Sequence, residues 1–469
     1  MKKLFALAGS VFGGIFVEIV LFITQLLVVL GCIVMGTRSS GVGLGLWGGT
    51  GVAILVFVFG LAPGTPPVDA LLIVLSVVLA SSMMQAAGGI DWMVSIAAKV
   101  IAKNPKQITL IAPMTAFLFS VGAGTSNILY PLLPVISDLS YRNGIRPSRP
   151  LSLSVVATGV ALACSPVSAA MAAMIALTDT APWHFELMDI IKVTLPAAIV
   201  GIILASFVVR RLGKDIEEDP EIQALIAKGT LSAPGASAEQ IKAEVNVTRE
   251  GRWAAIIFLL GVLTIVVFGL FKGLRPLGSG ENPEPIGMTP IIEIVMFVAG
   301  TIIMLVSRPK VADIPTMSVF RAGMVSAIAL FGLAWLTNTF LLEHSTLVAE
   351  GIGGLVDTAP WIFALGVFLV CVLTTSQSTA TNSIVPIGLA AGIPLGLMSG
   401  MWAGAFAGIY LLPTNGSQIA AANFDESGST KLGTKLVDHS FFLPTLILAA
   451  TTIAAGSLFG VLWGGGFPA

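Results

Sequence analysis

Charge is what this chain has least of: Asp, Glu, Lys and Arg make up 10% of its 469 residues, against about 25% in soluble domains. The formal net charge of -1 offers no electrostatic footing for a nucleic acid partner. Cysteine is nearly absent too. Cys32, Cys164 and Cys371 stand far apart in apolar runs without CxxC spacing, which excludes a disulfide framework and leaves them as small packing residues. The three histidines, His184, His344 and His439, are too scattered near expected membrane edges for a metal cluster. No GxSxG elbow, no HExxH and no membrane histidines paired with a carboxylate occur, so the chain is expected to be no enzyme and to carry no metal or cofactor.

What fills the chain instead is apolar sequence, 55% of it, with a mean hydropathy of +0.95. That composition describes an all-α polytopic membrane protein. Runs of about 20 apolar residues suit ten crossings, near 15–36, 42–62, 68–88, 151–178, 189–210, 252–272, 288–306, 318–340, 396–424 and 440–464. Two further apolar stretches, 106–138 and 359–391, are interrupted by polar residues; too broken for one span and too short for two, they are expected to be re-entrant helical hairpins.

The interruptions come in matched pairs roughly 250 residues apart. Gly124-Thr125-Ser126-Asn127 is answered by Thr379-Ala380-Thr381-Asn382, and Ser165-Pro166-Val167-Ser168 by Pro413-Thr414-Asn415-Gly416-Ser417. Residues 1–211 and 251–469 therefore read as two five-span halves, each with one hairpin and one broken helix. An odd number of crossings per half makes the repeat inverted. Residues 212–250 read as a cytoplasmic linker with a solvated acidic run at Asp215-Ile216-Glu217-Glu218-Asp219 and a short surface helix over 238–245. Every Lys and Arg except Lys2, Lys3, Lys192, Lys272 and Arg275 falls on one side of this arrangement. That side is expected to be the cytoplasm, with both termini periplasmic. Lys2 and Lys3 precede an apolar run without a small-x-small cleavage site and are expected to belong to a retained terminus.

A polar group in hydrocarbon is costly unless something pairs with it. Thr125, Ser126 and Asn127, with Ser376, Gln377, Ser378, Thr379, Thr381 and Asn382, concentrate hydroxyls and amides at the hairpin tips. Pro166 and Pro413 each interrupt a helix, beside Ser165 and Ser168 in one half and Thr414, Asn415 and Ser417 in the other. Four broken ends meeting near the midplane present free N–H groups and partial positive charge, a setting for an anion. The same oxygens suit a hard cation, so a coupling H+ or Na+ stays open. Glu18, Asp69, Asp91, Glu293 and Arg321 lie in or beside spans and are further candidates, Glu18 and Arg321 foremost. Gly43-Leu44-Gly45-Leu46-Trp47-Gly48 fits GxGxxG, but inside an apolar span it reads as close helix packing rather than a dinucleotide site.

At these residues the chain resembles the anaerobic C4-dicarboxylate transporter (Dcu) family, within the ion transporter superfamily. The resemblance runs through Ala87-Gly88-Gly89-Ile90-Asp91, Ala123-Gly124-Thr125-Ser126-Asn127, Arg149-Pro150-Leu151-Ser152 and Ser165-Pro166-Val167-Ser168. It continues through Phe320-Arg321-Ala322-Gly323-Met324, Ala334-Trp335-Leu336, Leu412-Pro413-Thr414 and Ser427-Gly428-Ser429-Thr430. It departs at Ser126, where a glycine is expected, and at Ser378-Thr379 and Asn415-Gly416. The resemblance implies exchange of fumarate, malate or aspartate for succinate across a bacterial inner membrane, by an elevator motion of a domain carrying the hairpins. The scaffold is expected from the first spans of each half, including residues 41–51, with a homodimer contact. A membrane sensor kinase is a further expected partner, and a dicarboxylate-binding sensor or accessory subunit is the reading from another class.

Overall fold

With no water in hydrocarbon to satisfy N–H and C=O groups, an apolar chain must close its hydrogen bonds within each segment, and the described residues hold helices and no β-strand. The computed structural model describes residues 20–33, 35–36, 39, 42–179, 183–234, 247–279, 283–433 and 437–463, without the side chains of 69–70, 341 and 345–358. The first half runs α1 Val20–Ile33, α2 Gly43–Ala53 loosening into a π-turn at Ile54–Val58, α3 Val68–Ala86, α4 Gly89–Lys103 and α5 Ile108–Ala123. After a 3-10 stretch at Ser126–Leu132 come α6 Leu133–Arg142, α7 Ser148–Ala161, α8 Ala169–Thr178 and α9 Leu187–Val209. The linker contributes α10 Pro220–Ala227. The second half runs α11 Arg249–Leu270, α12 Met288–Ser307, α13 Ser318–Thr358, α14 Trp361–Thr374 and α15 Gln377–Ala390. It ends with α16 Leu395–Ala405 tightening into a 3-10 turn at Phe406–Tyr410, then α17 Gly416–Phe424 and α18 Phe442–Trp463.

Six described helices are long and apolar enough to cross a membrane, or seven segments if the bent pair α3–α4 counts as one. Five of the expected spans, 189–210, 252–272, 288–306, 318–340 and 440–464, correspond to single long helices. The expected breaks in 151–178 and 396–424 are present between α7 and α8 and between α16 and α17. The two expected hairpins differ from each other. Pro105–Ala123, the first limb of 106–138, is alone long enough to cross, whereas 359–391 is two short limbs, α14 and α15.

Sequence reading placed no element between 88 and 106, yet α4 fills it. Gly88 takes a left-handed φ of 83°, open to glycine at little cost, and α3 and α4 meet there at 74°. Ile90, Met93, Val94, Ala97 and Ile101 form the buried stripe of α4, at the i, i+3, i+4 spacing of an amphipathic helix. The linker departs from expectation as well. The helix expected at 238–245 lies outside the described residues; α10, which the sequence reading did not place, is capped by Asp219, whose carboxylate accepts from the Glu221 and Ile222 amides. Asp219 is buried and paired with Arg146, so the acidic run is no merely solvated face. Burial alone would raise the Asp219 pKa; the Arg146 hydrogen bond and the backbone amides outweigh it and hold it below the ordinary value. Lys431 pairs with Glu221, and the Tyr141 hydroxyl donates to the Ser232 carbonyl at 2.7 Å.

α3 packs on α12 and α13, α2 on α13, and α11 on α12; α5 packs on α7, and α9 and α16 on α18; α13 on α15, α4 on α5 and α11, and α3 on α8 tie these groups into one continuous core. The GxGxxG segment is a packing device: a Cβ on Gly45 would lie 2.2 Å from the Ile328 carbonyl oxygen of α13, and one on Gly332 2.0 Å from that of Gly45. The three cysteines are buried and free. Three of the cations that break the expected charge asymmetry are paired locally: Lys192 with Asp189, and Lys272 and Arg275 with the two carboxylate oxygens of Glu186.

Candidate functional site

Both interrupted segments turn by the same local device. α5 ends at Gly124, left-handed at φ 67°, whose N–H donates to the Ser120 carbonyl at 2.9 Å. Thr125 follows extended, and its Oγ1 accepts from the Asn127 amide at 3.2 Å. α14 ends at Thr375, left-handed at φ 50°, whose N–H donates to the Cys371 carbonyl at 2.9 Å. Ser376 follows extended, and its Oγ accepts from the Thr379 amide at 3.2 Å. The structural counterpart of Gly124-Thr125-Ser126-Asn127 is therefore Thr375-Ser376-Gln377-Ser378, four residues before the string that identity alone selects. A left-handed β-branched residue carries strain of order 1–3 kcal/mol, and Thr375 is one.

These counterparts meet. A cavity of about 230 Å³ is lined by Gly124, Thr125, Ser126 and Asn127 from one tip and Thr375, Ser376, Gln377 and Ser378 from the other. Leu162, Val167, Ala169 and Ala170 at the α7–α8 break close one side; α3, with Val74, Val77, Val78 and Ser81, and α13, with Val319, Ala322, Gly323 and Ser326, close the rest. Among the described residues no Lys, Arg, Asp or Glu lines it. The first residues of α8 and of α15 both face it, so two helix N-termini turn N–H groups and partial positive charge toward one small space. Its volume is below the roughly 300–1,000 Å³ of drug-sized sites, which suits a ligand of few atoms.

The other expected residues serve around this cavity rather than on its wall. Ser165 accepts from the Val167 amide at 3.3 Å, and Ser168 caps α8 by accepting from Met171 N–H at 3.0 Å while donating to the Leu162 carbonyl at 2.6 Å. Both stabilise the break that Pro166 opens. Thr379 donates to Ser376 Oγ at 2.9 Å, and Thr381 accepts from Trp402 Nε1 at 2.9 Å while donating to the Gln377 carbonyl at 2.8 Å. Asn382 donates from Nδ2 to the Ser378 carbonyl at 2.7 Å and lines a separate, larger cavity of about 800 Å³ with Pro63–Val68, Asn338 and Trp183. Asn127 and Asn382 thus face different cavities, and the Asn382 amide reaches the carbonyl of Ser378, which lines the smaller one. In the second break, Asn415 accepts from Ser417 N–H at 3.1 Å and Ser417 Oγ at 2.9 Å. Pro413, Thr414, Asn415 and Ser417 line neither cavity; α17 packs on α6, α7 and the 3-10 stretch after Thr125.

Glu18 and the Asp69 side chain lie outside the described residues. Asp91 and Glu293 are half-buried, Arg321 is exposed, and none of the three lines the small cavity. Thr375, Ser81 and Ser326 are the lining groups sequence reading missed. Thr375 had a signal, since it ends an apolar run as Gly124 does. Ser81 and Ser326 had none, because a lone serine in an apolar helix is ordinary packing. Among the described residues no three His, Cys, Asp or Glu side chains gather as a metal site.

A multi-pass helical protein whose interrupted segments converge on a small uncharged chamber is built to hold a solute within the membrane, and the chain is a membrane transporter, not an enzyme. Residues 21–464 match the DcuA/DcuB family of anaerobic C4-dicarboxylate membrane transporters, and the chain belongs to that family. It is 34% identical over 450 residues to the anaerobic C4-dicarboxylate transporter DcuB of Escherichia coli O6:H1, covering 95% of this chain and 99% of that one. It is 30% identical over 436 residues to the C4-dicarboxylate transporter DcuA of Wolinella succinogenes, covering 93% and 98%. Among solved structures the fold is similar to the YdaH transporter of Alcanivorax borkumensis, with a TM-score of 0.58 at 15% identity over 96% of this chain and 98% of that one. MtrF of Neisseria gonorrhoeae gives 0.56 at 13% identity over 89% and 87%.

Proposed function

We propose that this protein exchanges C4-dicarboxylates across a bacterial inner membrane, taking in fumarate, malate or aspartate and releasing succinate, with the dianion held in the cavity between the two tips. The observation that carries this reading is the convergence of both tips and the N-termini of α8 and α15 on one small space without a side-chain charge. A dianion there is held by N–H groups, hydroxyls and amides, which bind it without a fixed cation that would hinder its release. Exchanging fumarate or malate for succinate, one dianion for another, moves no net charge and needs no coupling ion; aspartate, a monoanion because of its ammonium, would move one charge per exchange.

An inverted repeat and an elevator motion are the mechanism we favour. The contacts between the halves are reciprocal, as a pseudo-two-fold axis would make them: α3 on α12 answers α2 on α13, and α9 on α16 answers α18 on α7. α2, α3, α11, α12 and α13 would form the scaffold, and the body built on α5, α7, α9, α14, α16 and α18 would slide past it, with α3 and α13 as the walls it leaves. Both termini would be periplasmic, and a homodimer would form through the scaffold. Succinate efflux from proteoliposomes tests the reading. We expect efflux to depend on external fumarate and to persist when sodium is replaced by choline; efflux that needs sodium and ignores external fumarate would make the protein a cation-coupled symporter with the ion among the tip oxygens.

A further inference from the structure

Away from both cavities, α5 and α9 border a cleft of about 500 Å³. Its rim carries Lys106, just before α5, and Arg210 and Arg211, just after α9; Leu110, Ile145 and Phe207 supply an apolar wall. Arg149 also borders the cleft, but its guanidinium is committed to the Leu212 and Gly213 carbonyls at 2.8 and 3.1 Å and to Asp215 at 2.8 Å. Lys106, Arg210 and Arg211 have no acidic partner among the described residues. The Arg210 guanidinium lies 4.9 Å from the centre of the Phe207 ring, placing a cation at the border of the apolar wall. Along α9, Leu204, Phe207 and Val208 are 46%, 49% and 46% exposed, a bare apolar strip leading away from the basic rim.

We propose that this cleft binds the headgroup of an anionic phospholipid, with its phosphate oxygens on Lys106, Arg210 and Arg211 and an acyl chain along Leu204, Phe207 and Val208. Basic pockets beside the end of a membrane helix attract such headgroups, and a guanidinium holds phosphate through paired N–H donors. A soluble phosphate would use the rim and gain nothing from the strip. A zwitterionic lipid would use the strip, with its own cation repelled by the rim. The ligand that uses both halves is an anionic lipid. The assignment needs only that α9 crosses the membrane and is independent of the solute carried.

The full-length protein in neutral detergent tests this, with cardiolipin and inorganic pyrophosphate as probes and thermal unfolding and native mass spectrometry as readouts. Cardiolipin should raise the unfolding temperature and stay bound in the gas phase, whereas pyrophosphate at equal concentration should not stabilise. R210Q/R211Q should weaken cardiolipin binding at least tenfold, K106Q several-fold, and K99Q/K310Q, which removes two exposed cations outside the cleft, should leave it unchanged. Equal stabilisation by pyrophosphate would make the ligand a soluble phosphate and overturn the lipid assignment. Undiminished cardiolipin binding by R210Q/R211Q, or an equal loss in K99Q/K310Q, would remove the site. Should R210Q/R211Q fail to fold, K106Q decides alone: unchanged binding overturns the proposal.

Discussion

Gly124 and Thr375 do the same work with opposite means. Each ends a helix with left-handed dihedrals, each returns its N–H to a carbonyl four residues back, and each is followed by an extended hydroxyl residue that caps the next element. The first tip pays no steric cost for its turn and has no room for a side chain, because a Cβ on Gly124 would lie 2.4 Å from the Val167 carbonyl oxygen. The second tip accepts a strained threonine, and that residue lines the cavity. Geometry is shared between the halves while residue identity is not. The tip nearer the α7–α8 break is fixed by packing, whereas the other places a threonine side chain on the cavity wall.

The comparison can be broken in several ways, and the largest effect is expected at the ligand-facing amide. Asn127→Ala should abolish fumarate–succinate exchange in proteoliposomes while the protein still inserts and purifies. Asn382→Ala, whose side chain faces the other cavity, should cost less than Asn127→Ala; equal losses would show that the two cavities act as one. Gly124→Ala meets both a left-handed φ and the Val167 carbonyl, so it should destabilise by about 2 kcal/mol or more, read as a lower unfolding temperature, and reduce transport with it. Thr375→Gly should do the reverse to stability, raising it by about 1 kcal/mol through relief of strain, while lowering affinity for the transported acid. A Thr375→Gly protein that is less stable than the parent would refute the claim of strain.

The smallest effect concerns the linker. The folded pKa of Asp219 lies below its ordinary value, so its contribution is fully present above the ordinary carboxylate range and is lost as the pH falls through the depressed folded value. Protection of α10 amides in hydrogen exchange should hold at neutral pH and fall only below about pH 4. Asp219→Asn should lower that protection already at pH 7. An α10 whose protection is the same at all these conditions would mean that the Arg146–Asp219 pair does not hold it.

Much of the membrane architecture was legible because burial in hydrocarbon leaves little freedom: five long helices lie where apolar runs place them, and the breaks at Pro166 and Pro413 lie where a helix loses its donor. The tips were legible as places but not in register. Matching Thr125-Ser126-Asn127 to Ala380-Thr381-Asn382 compares residue names, whereas a cap is defined by dihedrals and by one side-chain oxygen reaching back to an amide. Thr125 and Ser376, or Ser168 and Asn415, meet that requirement with different residues. For the same reason several hydroxyls taken as ligand groups are spent within the protein: Ser165 and Ser168 accept backbone amides at the α7–α8 break, Thr379 donates to the Ser376 hydroxyl, and Thr381 donates to the Gln377 carbonyl. α4 was missed because its apolar stripe is diluted by Trp92, Ser95 and the lysines, and only burial against its neighbours shows which face counts.

Composition and periodicity by themselves determined that this chain lives in a membrane, that it is helical, and that polar interruptions recur in its two halves, since each follows from the cost of an unpaired polar group in hydrocarbon. Only the tertiary structure decided which interruptions share a chamber. A hydroxyl beside a broken helix can either face a solute or satisfy its own backbone, and the choice rests on where the neighbouring helices come to lie, which no local stretch of sequence contains.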